Sequence, residues 1–145
     1  MAKLIASRTT QYPMVAEFEF NFDDTMDNTS GAEVDFGATN TSASTVEIIP
    51  LPPGAVVIGG SVDTHVAFDA ATMNVTVGDS GAADRYLGTT DVKSVGTNAL
   101  VPTGYRGTGE NVRLTFTAAD VCTTGKAVVR VEYVVADRSN EVQIA

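Results

Sequence analysis

The chain has 145 residues, 43% hydrophobic and 19% charged, which suits one globular domain and excludes a disordered chain. A formal net charge of −9 excludes general affinity for nucleic-acid phosphates. The single cysteine, Cys122, excludes an intrachain disulfide, and no apolar run approaches membrane-spanning length.

The first 16 residues contain Lys3 and Arg8 and no acid, while all 18 acids lie from Glu17 onward. Leu4 to Ala6 is too short an apolar patch for a signal peptide, so the chain is expected to be made and kept in the cytoplasm, or assembled into something there. The N-x-[ST] sequons at Asn28, Asn40 and Asn74 then carry little meaning.

From residue 15 the dominant signal is period two. In VAEFEFNF, Phe18, Phe20 and Phe22 share one face with Val15 close by, while Glu17, Glu19 and Asn21 face the other way, a half-buried strand. AEVDF alternates too, and STVEIIPL reads as a strand stopped by the prolines at 50, 52 and 53. A turn and a long strand follow in PPGAVVIGGSVDTHVAFD, bent or bulged at Gly59 and Gly60 because glycine weakens a flat strand. TMNVTVG alternates Met73, Val75 and Val77; NVRLTFTA alternates Val112, Leu114 and Phe116; KAVVRVEYVV alternates Val129, Val131, Tyr133 and Val135.

Clusters of Gly, Pro, Asn, Asp and Ser separate these runs and read as turns. DVKSVGTNAL and TAADVC have room for a helical turn at most. The count is seven to nine strands with almost no helix, an all-β chain folded as an antiparallel sandwich or barrel. Residues 12–139 are expected to form one domain, with an arm at 1–11 and a tail at 140–145.

The tetrapeptide Gly78-Asp79-Ser80-Gly81 also surrounds the nucleophile of chymotrypsin-like proteases. A serine needs an adjacent base, and the only histidine, His65, lies fifteen residues upstream in a strand. A turn is the better reading: Gly78 and Gly81 would allow positive φ, and Asp79 would cap its own backbone. Asp23, Asp24, Asp27 and Asn28 cluster without EF-hand register, so they read as a solvated loop rather than a calcium site. His65 has no second ligand at zinc spacing, Cys122 has no neighbouring base, and Gly107 and Gly109 form no phosphate loop. Tyr105 and Arg106 sit at a loop tip, either sticky or packing. No catalytic, cofactor or metal residue emerges.

Taken in order, VEIIPLPPGAVVIGGSV, NVTVGDSGAADRYLG, VRLTFT and TTGKAVVRVEYV resemble the head decoration, or cement, proteins of tailed bacteriophages. The pattern is an apolar strand after LP-x-[GN]-A, a V-G-D turn leading to D-R-Y, and a last strand GK-x-x-V-x-V-E-Y, spanning residues 46 to 135. The resemblance implies a jelly-roll-like β-sandwich that binds the outside of an expanded capsid. It implies the major capsid protein and further copies of itself, as dimer or trimer, for partners, and brings no catalytic residues. Nucleic acid and membrane are not expected partners.

Within that reading Gly78, Asp79, Gly81, Asp84 and Arg85 form a structural turn, with Asp84 and Arg85 as a local ion pair. Lys3, Leu4 and Arg8 on the arm, with Tyr12 just after it, are the candidate capsid contacts. Two other readings stand beside it. One is a tail or head–tail connector protein. The other is a carbohydrate-binding module, which would lean on Tyr12, Tyr86 and Tyr105 because the chain has no tryptophan.

Overall fold

The computed structural model describes residues 2–6 and 8–139. Ten strands follow in chain order: β1 (Met14–Asn21), β2 (Thr25–Asp27), β3 (Glu33–Asp35), β4 (Asn40–Ile49), β5 (Ala55–Val66), β6 (Met73–Gly78), β7 (Leu87–Asp91), β8 (Gly96–Ala99), β9 (Val112–Ala118) and β10 (Lys126–Val135). No helix occurs among the described residues.

Two four-stranded antiparallel sheets carry the fold, in the orders β1-β10-β5-β8 and β4-β9-β6-β7; β2 and β3 form a separate hairpin. Setting that hairpin aside, the pairing is nested: β1 with β10, β4 with β9, β5 with β8 and β6 with β7. A long hairpin rolled up in this way is a jelly roll, the double-sheet arrangement of two Greek keys.

Alternation decides which side chains enter the core. On β9, Val112, Leu114, Phe116 and Ala118 are buried and the residues between them are half-buried. Met73, Val75 and Val77 on β6 and Val129 and Val131 on β10 do the same. Phe20 of β1, Phe36 after β3 and Phe116 of β9 stack across the interior, with ring centroids 4.8 Å apart at both steps. Phe36 therefore joins the two sheets. Val15, grouped with the phenylalanines by the sequence reading, is exposed, because a strict alternation puts it on the glutamate side.

The bend expected at Gly59 and Gly60 is present. The register between β10 and β5 shifts between Glu132 and Tyr133, opposite Ile58. Gly60 has φ 132°, and a Cβ there would run into the carbonyl of Arg130. A second shift, in β4, leaves Ile48 unpaired between Glu47 and Ile49, so the consecutive isoleucines are both buried. DVKSVGTNAL holds no helical turn: it enters β8, which pairs with β5 from Ser61 to Thr64.

The outer faces differ. On the first sheet the face is charged, with Arg130 between Glu17 and Asp63 and Lys126 beside Glu19. On the second sheet Thr45, Thr115 and Thr76 stand side by side in register, with Asn74 opposite Thr117. One ion pair, Arg113–Glu47 at 2.9 Å, marks the end of that threonine face.

Candidate functional site

The turn between β6 and β7 begins as an Asx turn. The Asp79 side chain is 3% exposed. Its Oδ1 accepts from the backbone N–H of Gly81 at 2.9 Å and of Ala82 at 3.0 Å, and the Asp79 N–H donates to the Ala82 carbonyl. Asp79 thus caps its own backbone, as the sequence suggests.

Two details differ from the sequence reading. Arg85 pairs with Asp79, Nε to Oδ2 at 2.6 Å, and not with the adjacent, exposed Asp84. Neighbouring residues in this tight turn diverge, while the chain reversal brings position 79 back to 85. Nor do Gly78 and Gly81 have positive φ. They are needed for space: a Cβ on Gly78 would collide with the backbone of Ala82 and Ala83, and one on Gly81 would lie 2.7 Å from Arg85.

Arg85 joins the turn to the loop at 101–111. Its guanidinium carbon lies 3.6 Å from the centre of the Tyr105 ring. The Tyr105 hydroxyl donates to Glu110 at 2.6 Å, and Glu110 also accepts from the Thr108 N–H and hydroxyl. Tyr105 and Thr108 hold the Glu110 carboxyl down to a pKa of about 2. The bond to Glu110, above all, raises that of Tyr105. Asp79 first of all raises Arg85. Tyr105 is thus a packing residue, and Arg106 is tied to Asp137 at 2.7 Å. Tyr86 is 4% exposed, contrary to the sequence expectation, and burial pushes its hydroxyl up to about 12.

Ser80 is exposed at the tip of this turn on the second sheet, and His65 is exposed on β5 of the first. The turn's capping bonds come from Asp79, and among the described residues no hydrogen bond joins Ser80 to His65. In the acidic loop Asp24 accepts from the Asn21 N–H, and Asn28 caps the β2–β3 turn through Ser30 and Ala32. Among the described residues no group of three metal-ligating side chains gathers. Cys122 is buried, which raises its thiol pKa.

The N-terminal segment has no regular structure, and its described residues from 2 to 9 are exposed. Lys3 and Arg8 lie there, with Leu4 90% and Ile5 81% exposed; Tyr12 follows at 79%. The root of the segment is held by Gln11, which sequence reading missed. Its amide donates to the Val135 carbonyl at 2.5 Å and accepts from the Val135 N–H at 2.8 Å. One side chain so imitates a paired strand residue at the end of β10. A lone glutamine two residues before a proline gives no periodic signal for this.

Three solved structures that share this fold are of phage capsids. The chain superposes on one in the acid-stable capsid of Helicobacter pylori bacteriophage KHP30 with a TM-score of 0.62 and 22% identity, covering 92% of this chain and 95% of that one. For a chain of the cyanophage Pam1 capsid asymmetric unit the TM-score is 0.57 at 23% identity, covering 91% and 92%. For one in the capsid of Ralstonia phage GP4 it is 0.55 at 13%, covering 95% and 93%. At these identities the likeness establishes the fold. No protein-family model and no curated protein matches the chain.

Proposed function

We propose that this protein is a structural, non-enzymatic component of a phage virion that binds the outside of the expanded capsid and clamps neighbouring capsid subunits. The observation that carries the reading is the shared jelly roll, which covers more than nine-tenths both of this chain and of chains found in three phage capsids. Those chains are of nearly this length, so the match is to a whole small capsid component.

A clamp of this kind works through many identical weak contacts, because a lattice supplies high effective concentration. Residues 12–139 form its rigid body. The threonine face of the second sheet, nearly free of charge, is suited to lie flat on a protein surface, while the charged face of the first suits water. Residues 1–11 form an arm whose Lys3, Leu4 and Arg8, with Tyr12 at the edge of the body, reach acidic and apolar ground on the capsid. The tail at 140–145 lies outside the described residues. The turn around Asp79 and Arg85 keeps the body stiff.

Copy number in purified virions, measured by quantitative mass spectrometry against the major capsid protein, tests the proposal. A number comparable to the capsid protein supports it. A handful of copies would make the chain a tail or connector component, and absence from virions would overturn the reading. Deleting residues 2–10 should weaken binding to isolated expanded heads; unchanged binding would remove the arm from the contact.

A further inference from the structure

An acidic, partly apolar groove runs beside the β2–β3 hairpin. It consists of two adjoining hollows of about 300 and 280 Å³ that share Asp35 and Ala38. Phe22, Val34 and the 61% exposed Val121 supply apolar walls. Asp23, Glu33 and Asp35 supply charge, no lysine or arginine lines either hollow, and no ion pair engages these acids among the described residues.

The same chain carries a segment of opposite character. Residues 2–9 have two cations, no acid, and two exposed aliphatic side chains in sequence, Leu4 and Ile5. Such a segment matches the groove in charge and in apolar content. It does not reach the groove of its own molecule. Gln11 fixes its root beside Val135, near the Met14 end of β1, and the groove lies past the Asn21 end. From Met14 to Phe22 an extended strand covers about 27 Å. Leu4, seven residues before Gln11, reaches at most about 25 Å from that root, which itself lies beyond Met14.

We infer that in the free protein residues 2–6 of one copy lie in the groove of a second copy, with Leu4 and Ile5 over Phe22 and Val121 and Lys3 facing Asp23 and Asp35. Root and receptor sit at opposite ends of β1, so two copies side by side and antiparallel exchange arms reciprocally, and copies head to tail close into a ring. The inference rests on the capsid reading in one respect: binding to the capsid takes the arm from the sister groove. Its test needs no capsid, so the two can fail separately.

Sedimentation velocity over a concentration series decides it, using the full chain, a chain lacking residues 2–9, and an Asp23→Lys/Glu33→Lys variant. Asp35 is left in place because its Oδ1 accepts from the Gly37 N–H at 2.8 Å. Unfolding midpoints of the variants confirm that they fold. The full chain should show at least a doubled mass that falls as salt is raised. Each variant alone should run as a monomer. A mixture of the two should associate, since one brings an arm and the other a groove. A monomeric full chain, a variant that keeps the full chain's mass, or a mixture that stays monomeric would overturn the inference.

Discussion

Replacing Asp79 by alanine removes three contacts at once. The backbone N–H groups of Gly81 and Ala82 lose their acceptor, and Arg85 loses a partner at 2.6 Å. Loss of a side-chain cap of this kind costs about 1 kcal/mol. Breaking a fully buried ion pair costs about 3–5 kcal/mol, but Arg85 is 19% exposed and regains water, so about 2 kcal/mol is the better figure here. The expected destabilisation is about 3 kcal/mol, a large part of the roughly 5–15 kcal/mol that holds a domain together. Asp79→Asn keeps the Oδ1 acceptor but puts an NH2, which cannot accept from Arg85, in place of Oδ2, so it should cost about 2 kcal/mol. Asp84→Ala, at an exposed site, should stay within about 0.5 kcal/mol. Urea unfolding with unchanged m values gives all three numbers. A double-mutant cycle with Arg85→Ala should return a coupling of about 1–2 kcal/mol for positions 79 and 85. If Asp84→Ala destabilises more than Asp79→Ala, the arginine has the other partner and the account of this turn is wrong.

Three further expectations follow from the packing and the turn chemistry. The Glu110 carboxyl titrates at about 2 in the fold against 4.5 ordinarily, so its contribution is present above pH 4.5 and fades as pH falls towards 2. The gap in urea midpoint between the parent chain and Glu110→Gln should therefore close over that window, and a gap constant with pH would refute the assignment. Phe36→Ala, which empties the aromatic stack between the sheets, should cost about 3–5 kcal/mol in the same assay; a loss under about 1 kcal/mol would show that the stack is not a joint. Gly125 has φ 150°, and a Cβ there would enter the Phe68 ring. Gly125→Ala should thus destabilise by about 2–3 kcal/mol, with near-ultraviolet circular dichroism reporting the displaced phenylalanine.

The strands that bury one face were legible in the sequence, and the ones that bury little were not. β1, β6, β9 and β10 alternate because one side meets the core. LGTTD of β7 and GTNA of β8 are sheet edges with no buried residue, so their composition reads as loop. At the turn, the cap by Asp79 is local and could be read from four residues. Arg85's choice of Asp79 over Asp84, the stacking on Tyr105 and the burial of Tyr86 depend on how two loops meet, which no local pattern encodes. The arm's charge was visible at once; its anchoring by Gln11 was not, because that bond spans 124 residues.

The nesting of the pairs also accounts for how the molecule is polarised. In a rolled hairpin the first and last strands are partners, and here Met14 stands opposite Tyr133. The arm therefore enters β1 at the end of the sheet where β10 stops, and Gln11 can reach Val135. At the other end Asn21 stands opposite Lys126, and the chain leaves β1 for the β2–β3 hairpin that walls the acidic groove. That hairpin is the one insertion in an otherwise eight-stranded roll. An arm at one end and an acidic hollow at the other thus follow from the strand order. The charge asymmetry, with no acid before Glu17, sets a basic arm against an acidic hollow, and the proposed exchange of arms would use that direction.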